Sequence, residues 1–269
     1  MLMQRIMTAM ILIPIILGIL FFTSPFVFFI LTTFIALNCA WEWSHLMEIK
    51  PLLWRLFYVA CSGIILIITL TIPVLITLFC SVIAWFFFIV LLAIYPRGSD
   101  WWSRGVFWRV LMGWFVFIPT WVAINFLRTQ PNGIHLLLFL FILVWGADSA
   151  AYFIGKKWGK TKFAPSLSPG KSVQGVLAAL VFSIGWVVLV LWAVKTPLMV
   201  WPYAIGLVLI TVLFSVVGDL FESMLKRQAC LKDSGCLFPG HGGLLDRIDS
   251  LTAAAPIFAS GGILMAMFV

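Results

Sequence analysis

The sequence predicts an all-α, multi-pass membrane protein of nine transmembrane helices. Three observations predict it: the composition, the length of the apolar runs, and the placement of basic residues around them. Of 269 residues, 64% are apolar and only 10% charged, and the mean hydropathy is +1.16. A soluble domain averages about 25% charged residues, so this chain lacks the polar surface to cover a globule in water.

A bilayer-spanning helix needs roughly 20 mainly apolar residues, with about 17 tolerated. The first run, 6–22, follows Arg5. It is longer than the apolar core of a signal peptide and has no A-x-A-like cleavage site, so it is expected to be retained. After Thr23-Ser24-Pro25 comes a run at 26–41, then runs at 56–71 and 74–94. The second and third are short enough to tilt little or to re-enter. The polar stretch from Pro96 to Ser103 precedes a fifth run at 107–126, and Gln130 to Gly133 separates it from a sixth at 134–154. A seventh, 173–194, is divided by Thr196-Pro197 from an eighth at 200–222, and the ninth occupies 250–268. Residues 1–133 form an N-terminal group of helices. Residues 134–269 form a C-terminal catalytic region with polar loops at 155–172 and 226–247.

With these spans, 15 of the 17 Lys and Arg residues fall on one side, and only Arg128 and Lys195 on the other. Basic residues are retained on the cytoplasmic face, which predicts a cytoplasmic N-terminus, an external C-terminus and large polar loops in the cytoplasm. The net charge of +8 then matches anionic lipid headgroups. No compact nucleic-acid module is present, and nucleic acid is not an expected partner. Cys39, Cys61, Cys80, Cys230 and Cys236 lack C-x-x-C spacing, so they read as free thiols facing a reducing compartment.

Charge is concentrated in one place. Five of the nine acidic residues lie within the 31 positions from Asp219 to Asp249. Ionisable groups in or beside membrane helices are costly and mark a pathway or a site. Asp219, Glu222, Ser223 and Lys226 share one helical face. A carboxylate and an ammonium there suit a hard cation and a phosphate, or form an intrahelical salt bridge. Lys232-Asp233-Ser234-Gly235 and Pro239-Gly240-His241-Gly242-Gly243 follow. Such glycines let backbone amides approach an anion closely. Asp246 and Asp249 are neighbours at i and i+3 and can share a cation or cap the last helix. Asp148 ends the apolar run Leu136 to Ala147, either as a second cation ligand or as a lysine's partner. Gly159-Lys160-Thr161 and Gly170-Lys171-Ser172 imitate the end of a P-loop, but Ile154 and Pro165 stand where its first glycine belongs.

From Ser223-Met224-Leu225-Lys226-Arg227 through Lys232-Asp233, Gly235, Leu237 and Pro239 to His241-Gly242-Gly243-Leu244-Leu245-Asp246-Arg247-Ile248-Asp249, 27 consecutive positions resemble the signature of the phosphatidate cytidylyltransferase family. Trp145-Gly146-Ala147-Asp148-Ser149 and Ser168-Pro169-Gly170-Lys171-Ser172 are similar to two further segments of it. The resemblance implies that CTP and phosphatidic acid give CDP-diacylglycerol and pyrophosphate. It also implies a magnesium ion, with or without a second cation, and a homodimer among membrane lipids of a bacterial inner membrane. Carried over by position, Asp219, Lys226, His241 and Asp246 are the expected catalytic residues. Asp219 and Asp246 are the first metal ligands, with Asp249 and Asp148 next. Lys171, Ser223, Arg227, Lys232, Asp233, Gly242, Gly243 and Arg247 are expected to bind substrate. A transporter and a CTP-dependent lipid kinase are the rival readings. The transporter would show broken helices in paired halves, and the kinase would leave CDP in place of pyrophosphate.

Overall fold

A computed structural model describes residues 2–97, 99, 105–235, 237 and 242–268. Nine long α-helices lie among them: α1 (Leu2–Phe22), α2 (Pro25–Leu46), α3 (Leu52–Thr69), α4 (Val74–Ile94), α5 (Val106–Thr129), α6 (Gly133–Trp158), α7 (Val173–Ala193), α8 (Trp201–Gln228) and α9 (Leu245–Phe268). Each corresponds to one expected apolar run. Among the described residues, seven segments are long and apolar enough to cross a membrane, and helices are the form in which a spanning chain satisfies its own backbone. The apolar residues left facing outward include Phe22 at 90% exposure. In water such a surface would aggregate, whereas lipid solvates it.

The helices run further than the hydropathy runs. α2 continues to Leu46 and has 22 residues, a full crossing rather than a re-entrant turn. α8 continues to Gln228 and α6 to Trp158, each ending in basic residues. Hydropathy registers the thickness of the hydrocarbon. A helix can continue beyond it once its side chains turn polar, with lysines and arginines near its C-terminal carbonyls.

The loop between α6 and α7 forms an antiparallel hairpin, β1 (Lys162–Ala164) with β2 (Ser168–Ser172). Its end is fixed by Ser172, whose hydroxyl caps α7 by accepting from Gly175 N at 3.2 Å. Glycines make room there: a Cβ at Gly159 would stand 2.6 Å from Ser172 Oγ.

α9 is the central helix, packing on α8 most extensively and also on α2, α4, α5 and α6. Ala253, Ala254, Ala255 and Ala259 are fully buried on it. Small residues let membrane helices approach closely, which is why α9 can be enclosed on several sides. The interior does not divide at residue 133. One apolar cluster combines Trp43, Trp85, Phe88 and Trp121 of the N-terminal helices with Phe221, Met224 and Ile257 of α8 and α9.

Candidate active site

The site begins where α8 and α9 touch. A Cβ at Gly218 would lie 2.6 Å from the Asp249 carbonyl oxygen and 3.3 Å from Ala253 Cβ. Only glycine allows that approach, and it brings Asp219 beside Asp249. α6 contributes Asp148, within reach of Ser250 on α9 and of Asp219 on α8. The carboxylates of Asp148, Asp219 and Asp249 therefore come from three helices and lie within electrostatic reach of one another. Ser223 Oγ donates to Asp219 Oδ1 at 3.3 Å. The hairpin delivers Lys171, whose Nζ is 2.7 Å from Asp219 Oδ2.

A second group forms around Lys226. Its ammonium lies 2.7 Å from Asp246 Oδ1 and 3.1 Å from Glu222 Oε1. Glu222 is buried, and among the described residues its oxygens have no hydrogen-bond partner, so Lys226 meets it as an ion pair. Asp246 Oδ2 accepts from Ser234 N at 2.8 Å, Ser234 Oγ at 3.0 Å and Gly243 N at 2.7 Å. Gly242 has φ +81°, a conformation open to glycine, and a Cβ there would crowd Asp246 Oδ2. Ser234 and Gly243 thus turn amide and hydroxyl donors toward Asp246 from either end of the glycine loop.

This loop has a further anchor that the sequence reading missed. Glu42, buried on α2, accepts from Leu244 N through Oε1 at 2.8 Å. Its Oε2 accepts from Leu245 N at 2.8 Å and from Ser234 Oγ at 2.9 Å. It does for the N-terminus of α9 what a local capping side chain normally does, from about 200 residues away. A buried acid in an otherwise apolar helix was the available signal.

Most expected site residues are brought together, in a different pairing. Asp219 and Lys226 do not pair: Asp219 takes Lys171, and Lys226 takes Asp246 and its own-helix neighbour Glu222. The intrahelical bridge is therefore real, but Lys226 also reaches across to α9. Lys171 is not a loop charge standing apart, since it reaches into the carboxylates. Arg227 Nε donates to Leu167 O at 3.4 Å, tying α8 to the hairpin. Lys232, Asp233 and Arg247 are exposed at the rim. His241 lies outside the described residues, as do Cys236 and Gly240.

Among the described residues, no three Asp, Glu, His or Cys side chains converge closely enough to hold an ion by themselves. Magnesium commonly takes one or two protein carboxylates and completes its shell with water and substrate phosphate. Asp219, Asp249 and Asp148 fit that mode, being oxygen donors with few hydrogen bonds of their own. Asp246 accepts three hydrogen bonds through Oδ2, from Ser234 N, Ser234 Oγ and Gly243 N, and only that of Lys226 Nζ through Oδ1, which keeps an acceptor site to spare. Asp246 thus organises the loop through Oδ2, while Oδ1 stands 2.7 Å from the Lys226 ammonium.

Comparison with known proteins bears on what such a site does. The model of the cytidylyltransferase family matches residues 3–264. The chain belongs to the cytidylyltransferase family. Among cytidylyltransferases, the chain is 40% identical over 263 residues to the phosphatidate cytidylyltransferase of Pseudomonas aeruginosa, covering 97% of this chain and 96% of that protein. It is 36% identical over 281 aligned residues to the phosphatidate cytidylyltransferase of Haemophilus influenzae, covering 96% and 98%. The Staphylococcus aureus phosphatidate cytidylyltransferase matches at 41% over 132 residues, about half of each chain.

Proposed function

We propose that the protein is a magnesium-dependent phosphatidate cytidylyltransferase. An oxygen of the phosphate monoester of phosphatidic acid attacks the α-phosphorus of CTP. The bond from that phosphorus to its bridging oxygen breaks, giving CDP-diacylglycerol and pyrophosphate. The observation that carries this reading is one site, at the ends of membrane helices, that joins a carboxylate cluster, two lysines and a glycine loop. It occurs in a chain similar over nearly its whole length to enzymes of that name.

The chemistry asks little of a base. The second pKa of a phosphate monoester is about 6, so the nucleophile is already ionised near neutral pH. What must be supplied is positioning and charge neutralisation. Lys171 and Lys226 hold ammonium groups within the site, and Lys232 and Arg247 at the rim attract the triphosphate as it arrives. Asp219 and Asp249, with Asp148 behind them, would hold magnesium, which when bound neutralises phosphoryl oxygens. Asp246 keeps Lys226 in place and shapes the loop. An apolar cavity lined by Leu31, Ile35, Phe117, Trp121, Ile248 and Leu251 begins one residue from Asp249, offering acyl chains a dry wall.

The proposal places the site on the cytoplasmic face of a bacterial inner membrane, supported by the basic residues gathered on that side and by the bacterial relatives. In a background without native cysteines, Pro131→Cys, at the turn between α5 and α6, should react with an impermeant thiol reagent in intact cells. Ser166→Cys in the hairpin should be protected until the membrane is opened, and the opposite pattern would invert the orientation. The reaction itself is tested with purified protein, CTP and phosphatidic acid in detergent micelles. Pyrophosphate and CDP-diacylglycerol should appear in equal amounts, and only with magnesium. Appearance of CDP would mean γ-phosphoryl transfer and overturn the reading.

A further inference from the structure

Glu42 lies on the second helix, far in sequence from the other residues of the site, yet it bonds both ends of the glycine loop. Both its oxygens are occupied by loop donors: Leu244 N, Leu245 N and Ser234 Oγ. The packing is as close as the bonding. A Cβ at Gly235 would stand 2.8 Å from Glu42 Oε1, and one at Gly243 would strike Glu42 Oε2 and Ser234 Oγ. The carboxylate therefore decides both which residues the loop can contain and where its amides point. Ser234 is the link onward, since its hydroxyl lies between Glu42 Oε2 and Asp246 Oδ2. With one proton and two carboxylate neighbours, that hydroxyl is shared between the two acids. Its position depends on both acids.

We propose that Glu42 is a positioning residue for nucleotidyl transfer. By holding Ser234, Leu244 and Leu245 it fixes Asp246, and through Asp246 it places the Lys226 ammonium against the reacting phosphates. It touches no substrate. A buried acid on α2 thus makes the N-terminal helices part of the catalytic apparatus, beyond the packing they supply. This rests on the reaction proposed above.

The test uses Glu42→Gln, which keeps the shape but turns an NH2 group toward a backbone N–H. Two readouts are needed: steady-state kinetics with CTP and phosphatidic acid varied separately, and amide hydrogen exchange over residues 233–245. We expect kcat to fall on the order of ten- to a hundredfold, the loss expected when a hydrogen bond to a charged group is removed. Both KM values should change little. Exchange at the Leu244 and Leu245 amides should accelerate, with α6 and α7 as protected as before. Unchanged kcat would overturn the proposal. So would lost kcat with unchanged loop exchange, which would put Glu42 in some other role. Faster exchange throughout all helices would also overturn it, because the residue would then be merely structural.

Ser234→Ala provides an independent arm and decides the matter if Glu42→Gln does not fold. It should loosen the same amides and lower kcat less. The double variant should lose less than the product of the two single losses, as expected for groups acting through one network. Fully multiplicative losses, or a Ser234→Ala protein with wild-type exchange and turnover, would contradict the proposal. If the wild-type protein does not convert CTP at all, the reaction reading fails. The exchange readout still tells whether Glu42 holds the loop.

Discussion

Lys226 and Lys171 each stand 2.7 Å from an aspartate, Asp246 and Asp219 respectively, but the two aspartates differ in what else they hold. Asp246 holds four donors, Lys226 of α8 on Oδ1 and Ser234 N, Ser234 Oγ and Gly243 N on Oδ2. Asp219 has Lys171 and one long bond from Ser223, with Asp249 and Asp148 as like-charged neighbours. A buried carboxylate that gathers several donors is a structural fixture. Carboxylates that face one another with few donors are held in an arrangement that only a cation or incoming substrate completes. The degree of hydrogen-bond satisfaction, rather than residue type, separates the scaffold of the site from its chemistry.

That contrast can be broken by substitution. The largest effect is expected at Asp219→Asn, which removes charge from the undersatisfied group while leaving the glycine loop intact. Turnover should fall roughly 10²–10³-fold, the scale seen when one preorganised electrostatic contact is lost. Adding Asp249→Asn should cost much less than a second loss of that size, since both would serve one cation. Wild-type activity of Asp219→Asn at limiting magnesium would move the reaction centre elsewhere.

The lysines sharpen the same contrast at smaller magnitude. Lys226→Ala should lower kcat on the order of ten- to a hundredfold, because charge builds near it during transfer and Asp246 loses its partner. Lys171→Ala should mainly raise the KM for CTP, by about tenfold, through loss of an attraction present before and during transfer. Kinetics with each substrate varied separately distinguish them. A Lys171→Ala protein that weakens only phosphatidic acid would assign the hairpin to the lipid headgroup.

The nine helices were legible because a bilayer imposes one length on every crossing, and hydropathy reads that length directly. Their ends were less so, as at α2 and α8, where the helix outlasts the apolar run. The carboxylate cluster was legible as a concentration of charge, and Asp219, Asp246, Asp249 and Lys226 were all found within it. Their partners were not. Helical periodicity placed Lys226 on the face of Asp219, whereas the close approach of α8 and α9 at Gly218 turned Lys226 toward Asp246. The hairpin then brought Lys171 to Asp219, a contact no local pattern encodes. Glu42 was missed for the same reason: periodicity describes one helix at a time and cannot say which distant loop packs against it.

The division between the two groups is tested most directly by thermal unfolding of Asp246→Asn and Asp219→Asn, purified in the same detergent and assayed for turnover in parallel. Asp246→Asn must turn its NH2 either toward the backbone donors or toward the Lys226 ammonium, and leaves that lysine with Glu222 alone, a change of ~3–5 kcal/mol when one partner of a buried pair is removed. Its Tm should fall clearly, together with its turnover. Asp219→Asn should lose turnover and keep the wild-type Tm. An Asp246→Asn protein as stable as wild type, or an Asp219→Asn protein destabilised to the same degree, would contradict the separation of scaffold from chemistry.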